Sequence, residues 1–179
     1  MGQLLSYFNI NYVKKKIIKL LMIGDQSSGK TSIINQWKHN TILHTLPNHG
    51  IDFANINCNN VEFQITDFSG KINLNLLFSH CMVIYEGLII VIDSSTLQEK
   101  DLLSSKLNIF FNKNQQQKIC PVLILANKCD KNKYQEDEII NYIGIQKYRN
   151  KAYHIIFYTN CFSGEGLSES LLWLYGQYS

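Results

Sequence analysis

Residues 24–31 combine two glycines, a lysine and a threonine at spacings that suit the binding of a phosphate chain. The run reads Gly-Asp-Gln-Ser-Ser-Gly-Lys-Thr, follows an apolar segment and opens a stretch with helical spacing. Gly24 and Gly29 let the backbone wrap closely round a pyrophosphate, while amide N–H groups and a helix N-terminus supply positive potential. Lys30 would reach the β- and γ-phosphates, and the Thr31 hydroxyl would bind Mg²⁺. The run predicts a Walker A phosphate loop; the alternative is a glycine-rich turn that caps a structural helix.

A second motif has the chemistry to choose the base. Asn127, Lys128 and Asp130 follow the apolar run 122–126 and so lie at the carboxyl end of a predicted strand. The carboxylate of Asp130 can accept hydrogen bonds from N1–H and the exocyclic amine of guanine. Adenine offers no matching pair of donors and would leave that carboxylate partly unpaired, which is costly. In this setting the motif favours GTP over ATP, whereas such a tetrapeptide alone is more often a solvated loop.

A third element, Asp67-Phe68-Ser69-Gly70, follows the predicted strand 61–66. It fits the Asp-x-x-Gly pattern, in which the carboxylate of Asp67 holds Mg²⁺ through water and the N–H of Gly70 meets the γ-phosphate. Three elements in this order indicate a domain that binds GTP or GDP with Mg²⁺.

Short apolar runs alternate with helical patterns, which is typical of a parallel sheet with helices on both faces. The predicted strands span residues 17–23, 53–57, 61–66, 88–92, 122–126 and 154–158. The predicted helices span residues 30–38, 97–111, 136–143 and 167–177. Because Asn59 and Asn60 suit a hairpin turn, one strand is expected to be antiparallel. The predicted fold is α/β, with the P-loop NTPase architecture and a mostly parallel sheet of six strands.

Length and charge favour one main domain with no bulk affinity for nucleic acid. The chain has 179 residues and a formal net charge of +3. Five cysteines without metal-ligand spacing favour reduced thiols and a cytoplasmic location over a disulfide framework. The apolar runs fall far short of the ~20 residues that span a bilayer, so any membrane attachment is expected to be peripheral.

The three motifs, with Asn160-Cys161 and residues 163–167, resemble the Arf and Arf-like branch of small GTPases over nearly the whole chain. The resemblance implies a monomeric GDP/GTP switch with the small GTPase fold, and it places the backbone of Cys161 near the guanine O6. It implies the following nucleotide-contacting set: Gly24, Asp25, Gln26, Ser27, Ser28, Gly29, Lys30, Thr31, Ser32, Gly70, Asn127, Lys128, Asp130, Asn160 and Cys161.

Residues 1–16 are expected to form a separate segment ahead of a G domain at 17–179. The first six residues match the N-myristoylation pattern, with Gly2 exposed once Met1 is removed. Apolar residues at helical spacing follow, and then lysines 14–16. Arf-like proteins carry such a lipidated amphipathic helix, so the resemblance implies reversible membrane association. The alternative is a helix that stays packed on the domain.

Two departures from the family's usual pattern bear on Mg²⁺ binding and on hydrolysis. Residues 47–50 read Pro-Asn-His-Gly where Pro-Thr-x-Gly is usual, so Asn48 would offer Mg²⁺ an amide oxygen in place of a hydroxyl. Lys71 stands next to Gly70, where a glutamine usually orients the attacking water. An ammonium cannot accept a hydrogen bond from that water, so GTP hydrolysis is expected to be slow.

The sequence thus predicts a small GTPase that couples GTP binding to membrane association and effector recruitment in vesicular trafficking. Expected partners are an exchange factor, a GTPase-activating protein and effectors, but no nucleic acid. Short stretches, including residues 91–95 and 164–167, are most similar to the ciliary Arf-like subgroup that recruits the BBSome coat, which suggests the ciliary base.

Two alternative functions remain open. Lys71 and Asn48 favour a GTP-loaded scaffold that does not hydrolyse GTP and serves as an interaction module. An ATP-dependent P-loop kinase is disfavoured by the guanine motif at 127–130 and by the lack of an arginine-rich lid insertion.

Overall fold

A computed structural model describes residues 15–39, 51–68, 84–97, 100–114, 118–131 and 134–179. Within these ranges six strands and four α-helices follow one another along the chain. The strands are β1 (Lys16–Gly24), β2 (Ile51–Cys58), β3 (Val61–Phe68), β4 (Gly87–Asp93), β5 (Cys120–Asn127) and β6 (Ala152–Thr159). The helices are α1 (Lys30–His39), α2 (Lys100–Lys113), α3 (Glu136–Ile143) and α4 (Leu167–Gly176), and a short 3₁₀ helix, Ile145–Tyr148, follows α3.

All strands join one sheet in the order β2-β3-β1-β4-β5-β6. Only the β2–β3 pair is antiparallel among the described strands, and the other neighbours are parallel. The hairpin between them turns at Asn59, whose φ of 51° lies in the left-handed region that asparagine tolerates better than most residues. The prediction of an α/β fold with a mixed six-stranded sheet is confirmed.

The central strands are apolar on both faces because each face is covered by helices. Along β4, Leu88, Ile90 and Ile92 join a core cluster with residues of α2 and α3. Ile89 and Val91 join a second cluster, with residues of α1 and α4. The sheet is therefore buried between two helical layers, and the polar residues that follow the strands meet at its carboxyl edge.

Helix α2 differs from its predicted bounds, 97–111, because the turn after β4 is closed by its own hydrogen bonds. The N–H of Thr96 donates to the backbone oxygen of Asp93 at 3.2 Å. Leu97 is half-buried against the core, which explains why it fits the apolar pattern although the helix begins at Lys100. The 3₁₀ helix after α3 had no predicted counterpart.

Helix α3 is held at both of its ends, which fixes the side chains it buries. Glu138 accepts a hydrogen bond from the N–H of Gln135 at 2.8 Å. At the other end, Gly144 has a φ of 72°, and its N–H donates to Ile140 at 2.8 Å. Tyr142 lies on the buried face of this helix.

The predicted N-terminal helix, the first switch segment around Asn48 and the segment that holds Gly70 and Lys71 lie outside the described residues. In the part of the chain that is described, no helix is both long and apolar enough to cross a membrane.

Candidate functional site

The loop between β1 and α1 approaches neighbouring strands so closely that both of its glycines are required. A Cβ on Gly24 would lie 1.9 Å from the backbone oxygen of Val91 on β4. Gly29 has a φ of 97°, and a Cβ there would lie 2.3 Å from Nδ2 of Asn127. Ser27 also adopts a left-handed φ of 59°. The tight winding expected of a phosphate loop is therefore present at residues 24–29.

The ammonium of Lys30 lies over the carbonyl side of this loop. Its Nζ donates to the backbone oxygen of Asp25 at 2.7 Å and to that of Gly24 at 3.4 Å. The lysine is buried, although it opens helix α1. A positive charge held in this position suits a polyanionic ligand, because phosphate oxygens bind an ammonium more strongly than neutral carbonyls do.

Asp67 on β3 offers a carboxylate whose burial is only partly compensated. It is 1% exposed; its Oδ2 accepts a hydrogen bond from Oγ1 of Thr31 at 3.4 Å, and its Oδ1 has no hydrogen-bond partner among the described residues. The pKa of Asp67 is raised from its usual value: burial is the largest cause, while the nearby charge of Lys30 and the Thr31 hydrogen bond act in the opposite direction. The carboxylate of Asp52 raises it further.

Oδ1 of Asp67, which has no hydrogen-bond partner among the described residues, and the hydroxyl of Thr31 fit a hydrated Mg²⁺ ion. A buried carboxylate oxygen without a partner, beside a hydroxyl at a helix N-terminus, is the donor set that such an ion uses when phosphates and waters supply its other ligands. Within the described ranges no group of three or more His, Cys, Asp and Glu side chains could hold a metal.

The side chain of Asn127 connects the phosphate loop to the loop after β6. It is 0% exposed and lies at the end of β5. Its Nδ2 donates to the backbone oxygen of Ser28 at 2.7 Å, while its Oδ1 accepts from the N–H of Cys161 at 3.0 Å and from Oγ1 of Thr159 at 3.4 Å. Three segments that are distant in the sequence are thereby joined by one amide.

Asp130 and Asn160 lie side by side at the same edge. Nδ2 of Asn160 donates to Oδ1 of Asp130 at 3.0 Å. Oδ1 of Asn160 accepts from the N–H groups of Phe162 at 2.8 Å and Ser163 at 3.3 Å. Because Asp130 is exposed, its carboxylate can accept further donors from a ligand.

Lys128 adopts a φ of 65°, and its Nζ lies 2.5 Å from Oδ2 of Asp93 at the end of β4. Ser95 donates to Oδ1 of Asp93 from its hydroxyl at 2.6 Å and from its N–H at 2.9 Å. Burial alone would raise the pKa of Asp93, but the hydrogen bonds from Lys128 and Ser95 outweigh it and lower that pKa. The ion pair thus holds the long stem of Lys128 in place at this edge of the sheet.

Sequence reasoning missed two residues that touch the site. Asp93 is the last residue of an apolar strand, as Asn127 is of β5, and this signal could have identified it. Tyr142 on α3 donates from its hydroxyl to Oδ1 of Asp25 at 3.1 Å, and nothing in the motifs pointed to it.

Of the remaining predicted residues, Gln26 is exposed, Ser28 and Cys161 are buried and Ser32 is half-buried. Gly2, Asn48, Gly70 and Lys71 lie outside the described ranges, and their roles stay predictions.

Comparison with known proteins gives a family and a matching fold. A model of the ADP-ribosylation factor family matches residues 4–178. The chain is similar in structure to the Arl6 BBS3 small GTPase from Trypanosoma brucei, solved with the bound nucleotide analogue GppNp. That match has a TM-score of 0.73 and 23% sequence identity, and it covers 90% of this chain and 97% of that chain. At this identity the structural likeness shows the fold, whereas the family match extends over nearly the whole sequence, and together they show that the chain belongs to the ADP-ribosylation factor family of small GTPases.

Proposed function

We propose that the site described above binds GTP and GDP with Mg²⁺, and that this binding controls reversible membrane association and effector recruitment. The observation that carries the proposal is a pair of hydrogen bonds made by the Asn127 side chain, which donates to the backbone oxygen of Ser28 at 2.7 Å and accepts from the N–H of Cys161 at 3.0 Å. They hold a phosphate-sized loop and an exposed carboxylate at fixed positions along one edge of the sheet. A ligand with a polyphosphate at one end and hydrogen-bond donors at the other matches that layout.

The chemical type of each residue in the site indicates its proposed role. Lys30 and the loop amides would bind the phosphates. Thr31 and Asp67 would hold Mg²⁺, and Asn48 is proposed from the sequence as a further ligand. Asp130 would accept hydrogen bonds from guanine. The ion, when bound, neutralises charge on the β- and γ-phosphate oxygens. Lys128, fixed by Asp93, would place its aliphatic stem against the base.

The substitution Asp130→Asn tests whether the carboxylate of Asp130 recognises the guanine base. The variant loses the charged acceptor for guanine N1–H and amine, so affinity for GDP is expected to fall by about 100-fold. An asparagine amide offers one acceptor and one donor, which match N1–H and the 2-carbonyl of xanthine, so affinity for xanthosine diphosphate is expected to rise. Equilibrium titration with fluorescent nucleotides measures both.

The matched control is Asp137→Asn, which removes an exposed carboxylate from the first turn of α3 and is expected to change neither affinity. An equal loss of affinity for both nucleotides on Asp130→Asn would contradict base reading, since it would indicate a structural role through Asn160.

Asp67→Asn is expected to have opposite effects on stability and on ligand binding. The substitution removes a buried charge with an unsatisfied oxygen, so the nucleotide-free protein should gain about 1 kcal/mol in its free energy of unfolding. Mg²⁺-dependent binding of GTP should weaken by about ten-fold, because a carboxylate binds the hydrated ion better than an amide does. Urea unfolding in EDTA and nucleotide titration at varied Mg²⁺ measure the two effects.

Asp101→Asn serves as control, because this exposed residue of α2 lies outside the site and should leave Mg²⁺-dependent binding unchanged. Since it removes a negative charge from the first turn of a helix, its effect on stability should have the opposite sign, a loss of about 0.5 kcal/mol. A lower stability of Asp67→Asn in EDTA would show that the carboxylate is needed by the fold rather than kept for a ligand.

We propose further that hydrolysis of GTP by this chain is slow, on the basis of Lys71. Replacement by glutamine restores both a donor and an acceptor for the attacking water, so Lys71→Gln is expected to raise the single-turnover rate by about ten-fold or more. Lys71→Arg, which also lacks an acceptor, is the control and should stay slow. If both forms hydrolyse GTP at a measurable rate and Lys71→Gln is no faster than the native chain, slow hydrolysis caused by Lys71 is rejected. A second candidate function, a scaffold that stays loaded with GTP, would be favoured if neither form turns over.

Membrane association is proposed through a myristoyl group on Gly2, the apolar face behind it and lysines 14–16. We propose that the chain acts in ciliary trafficking with a BBSome-type coat as its partner. Two observations support this: the name BBS3 of the structurally similar trypanosome protein, and the similarity of short stretches such as residues 91–95 and 164–167 to the ciliary Arf-like subgroup. Co-expression with a myristoyl-transferase should add the mass of one myristoyl group to the native chain and not to Gly2→Ala. Intact-mass spectrometry that finds an unmodified native chain would reject the lipid.

A further inference from the structure

The phosphate loop of this chain contains a carboxylate, Asp25, at its second position. A negative charge in a loop that receives phosphates would oppose their binding if its carboxylate faced them. The side chain of Asp25 is instead 5% exposed and accepts a hydrogen bond at 3.1 Å from the hydroxyl of Tyr142 on α3. The two residues are separated by 117 positions in the sequence, so this contact is made by the tertiary fold.

Tyr142 has little freedom to move its hydroxyl elsewhere. The residue is 6% exposed and belongs to the core cluster under α2 and α3, together with Ile139 and Ile143. The helix that carries it is closed by hydrogen bonds at Gln135 and at Gly144. A rigid helix therefore presents the hydroxyl at a fixed point beneath the phosphate loop.

The backbone of Asp25 makes its contacts within the loop and with β4, whereas its side chain contacts Tyr142 on α3. Its carbonyl oxygen accepts from Nζ of Lys30 at 2.7 Å, and its N–H donates to Val91 at 3.2 Å. If the carboxylate turned from Tyr142 towards this lysine, it would occupy the surroundings of the cation that is proposed to bind phosphate. It would then compete for Lys30 and repel the ligand.

We propose that Tyr142 is a positioning residue for nucleotide binding: its hydroxyl holds the carboxylate of Asp25 on the α3 side of the loop, so that the phosphates meet Lys30 without a competing like charge. The proposal rests on the proposed function, because it concerns the strength with which this site retains a guanine nucleotide. It assigns to α3, which carries none of the nucleotide motifs, control over the rate of nucleotide release.

The test is a double-mutant cycle read out as the release rate of fluorescent GDP from the full chain in Mg²⁺. Tyr142→Phe keeps the ring and removes the hydroxyl, so release is expected to be about three- to ten-fold faster. Asp25→Asn alone should leave release unchanged or slow it, since no carboxylate remains that could turn towards Lys30 and repel the phosphates. In the Asp25→Asn background, Tyr142→Phe should change the rate by less than about two-fold, because no carboxylate remains to be held.

Tyr148→Phe is the matched control: it removes another tyrosine hydroxyl on the same side of the sheet, one that hydrogen-bonds Asn108, and should leave release unchanged. Equal acceleration by Tyr142→Phe in both backgrounds would indicate a general packing role and overturn the proposal, as would no acceleration in a native chain that binds GDP normally. Should Tyr142→Phe not fold, faster release from Asp25→Asn alone would overturn it. A native chain that binds no guanine nucleotide would instead reject the proposed function itself.

Discussion

The amide of Asn127 is the contact on which the geometry of the whole site depends. It is completely buried at the end of a strand whose residues are all buried, so its position is determined by the core. From there it donates to the phosphate loop and accepts from the loop after β6. A buried amide with satisfied donors and acceptors is directional in a way that apolar packing is not. The motif that suggested base recognition thus also contains the residue that sets the distance between the two ends of the site.

Two aspartates at this edge of the sheet differ in how far their hydrogen bonds compensate for burial. Asp93 is fully engaged by Lys128 and Ser95, and its pKa is lowered accordingly. Asp67 has one weak hydrogen bond and a raised pKa, although Lys30 is near. A protein tolerates a buried carboxylate with too few partners at a position where a bound ligand supplies them. The contrast between these two aspartates distinguishes a carboxylate whose hydrogen bonds are made within the fold from the one that we propose as a partner of hydrated Mg²⁺.

The site is also connected to the helical layer behind it. Asp25 links the phosphate loop to Tyr142, and that tyrosine is packed among apolar side chains of α3. Buried polar pairs of this kind are specific, because an unsatisfied partner in the core is costly. An aspartate at the second position of the loop therefore makes structural sense only together with a hydroxyl that reaches it from the opposite side of the sheet edge.

Much of the fold and part of the site could be predicted from local patterns. Short apolar runs identified the central strands, and the asparagine pair at 59 and 60 between two strand-like segments identified the antiparallel hairpin, because both signals lie within a few neighbouring residues. The start of α2 was misplaced, since an apolar position such as Leu97 fits a helical pattern whether or not the turn before it has closed.

What the sequence alone determined is the set of elements and the residue types that lie at their ends: glycines where the loop is tight, and acids and an amide after buried strands. The tertiary structure decided which of these groups touch. The contacts of Asn127 with Ser28, of Lys128 with Asp93 and of Tyr142 with Asp25 cross 99, 35 and 117 residues of chain. Such contacts follow from the order of strands in the sheet and from the packing of helices on it, and neither is encoded in the spacing of any one motif.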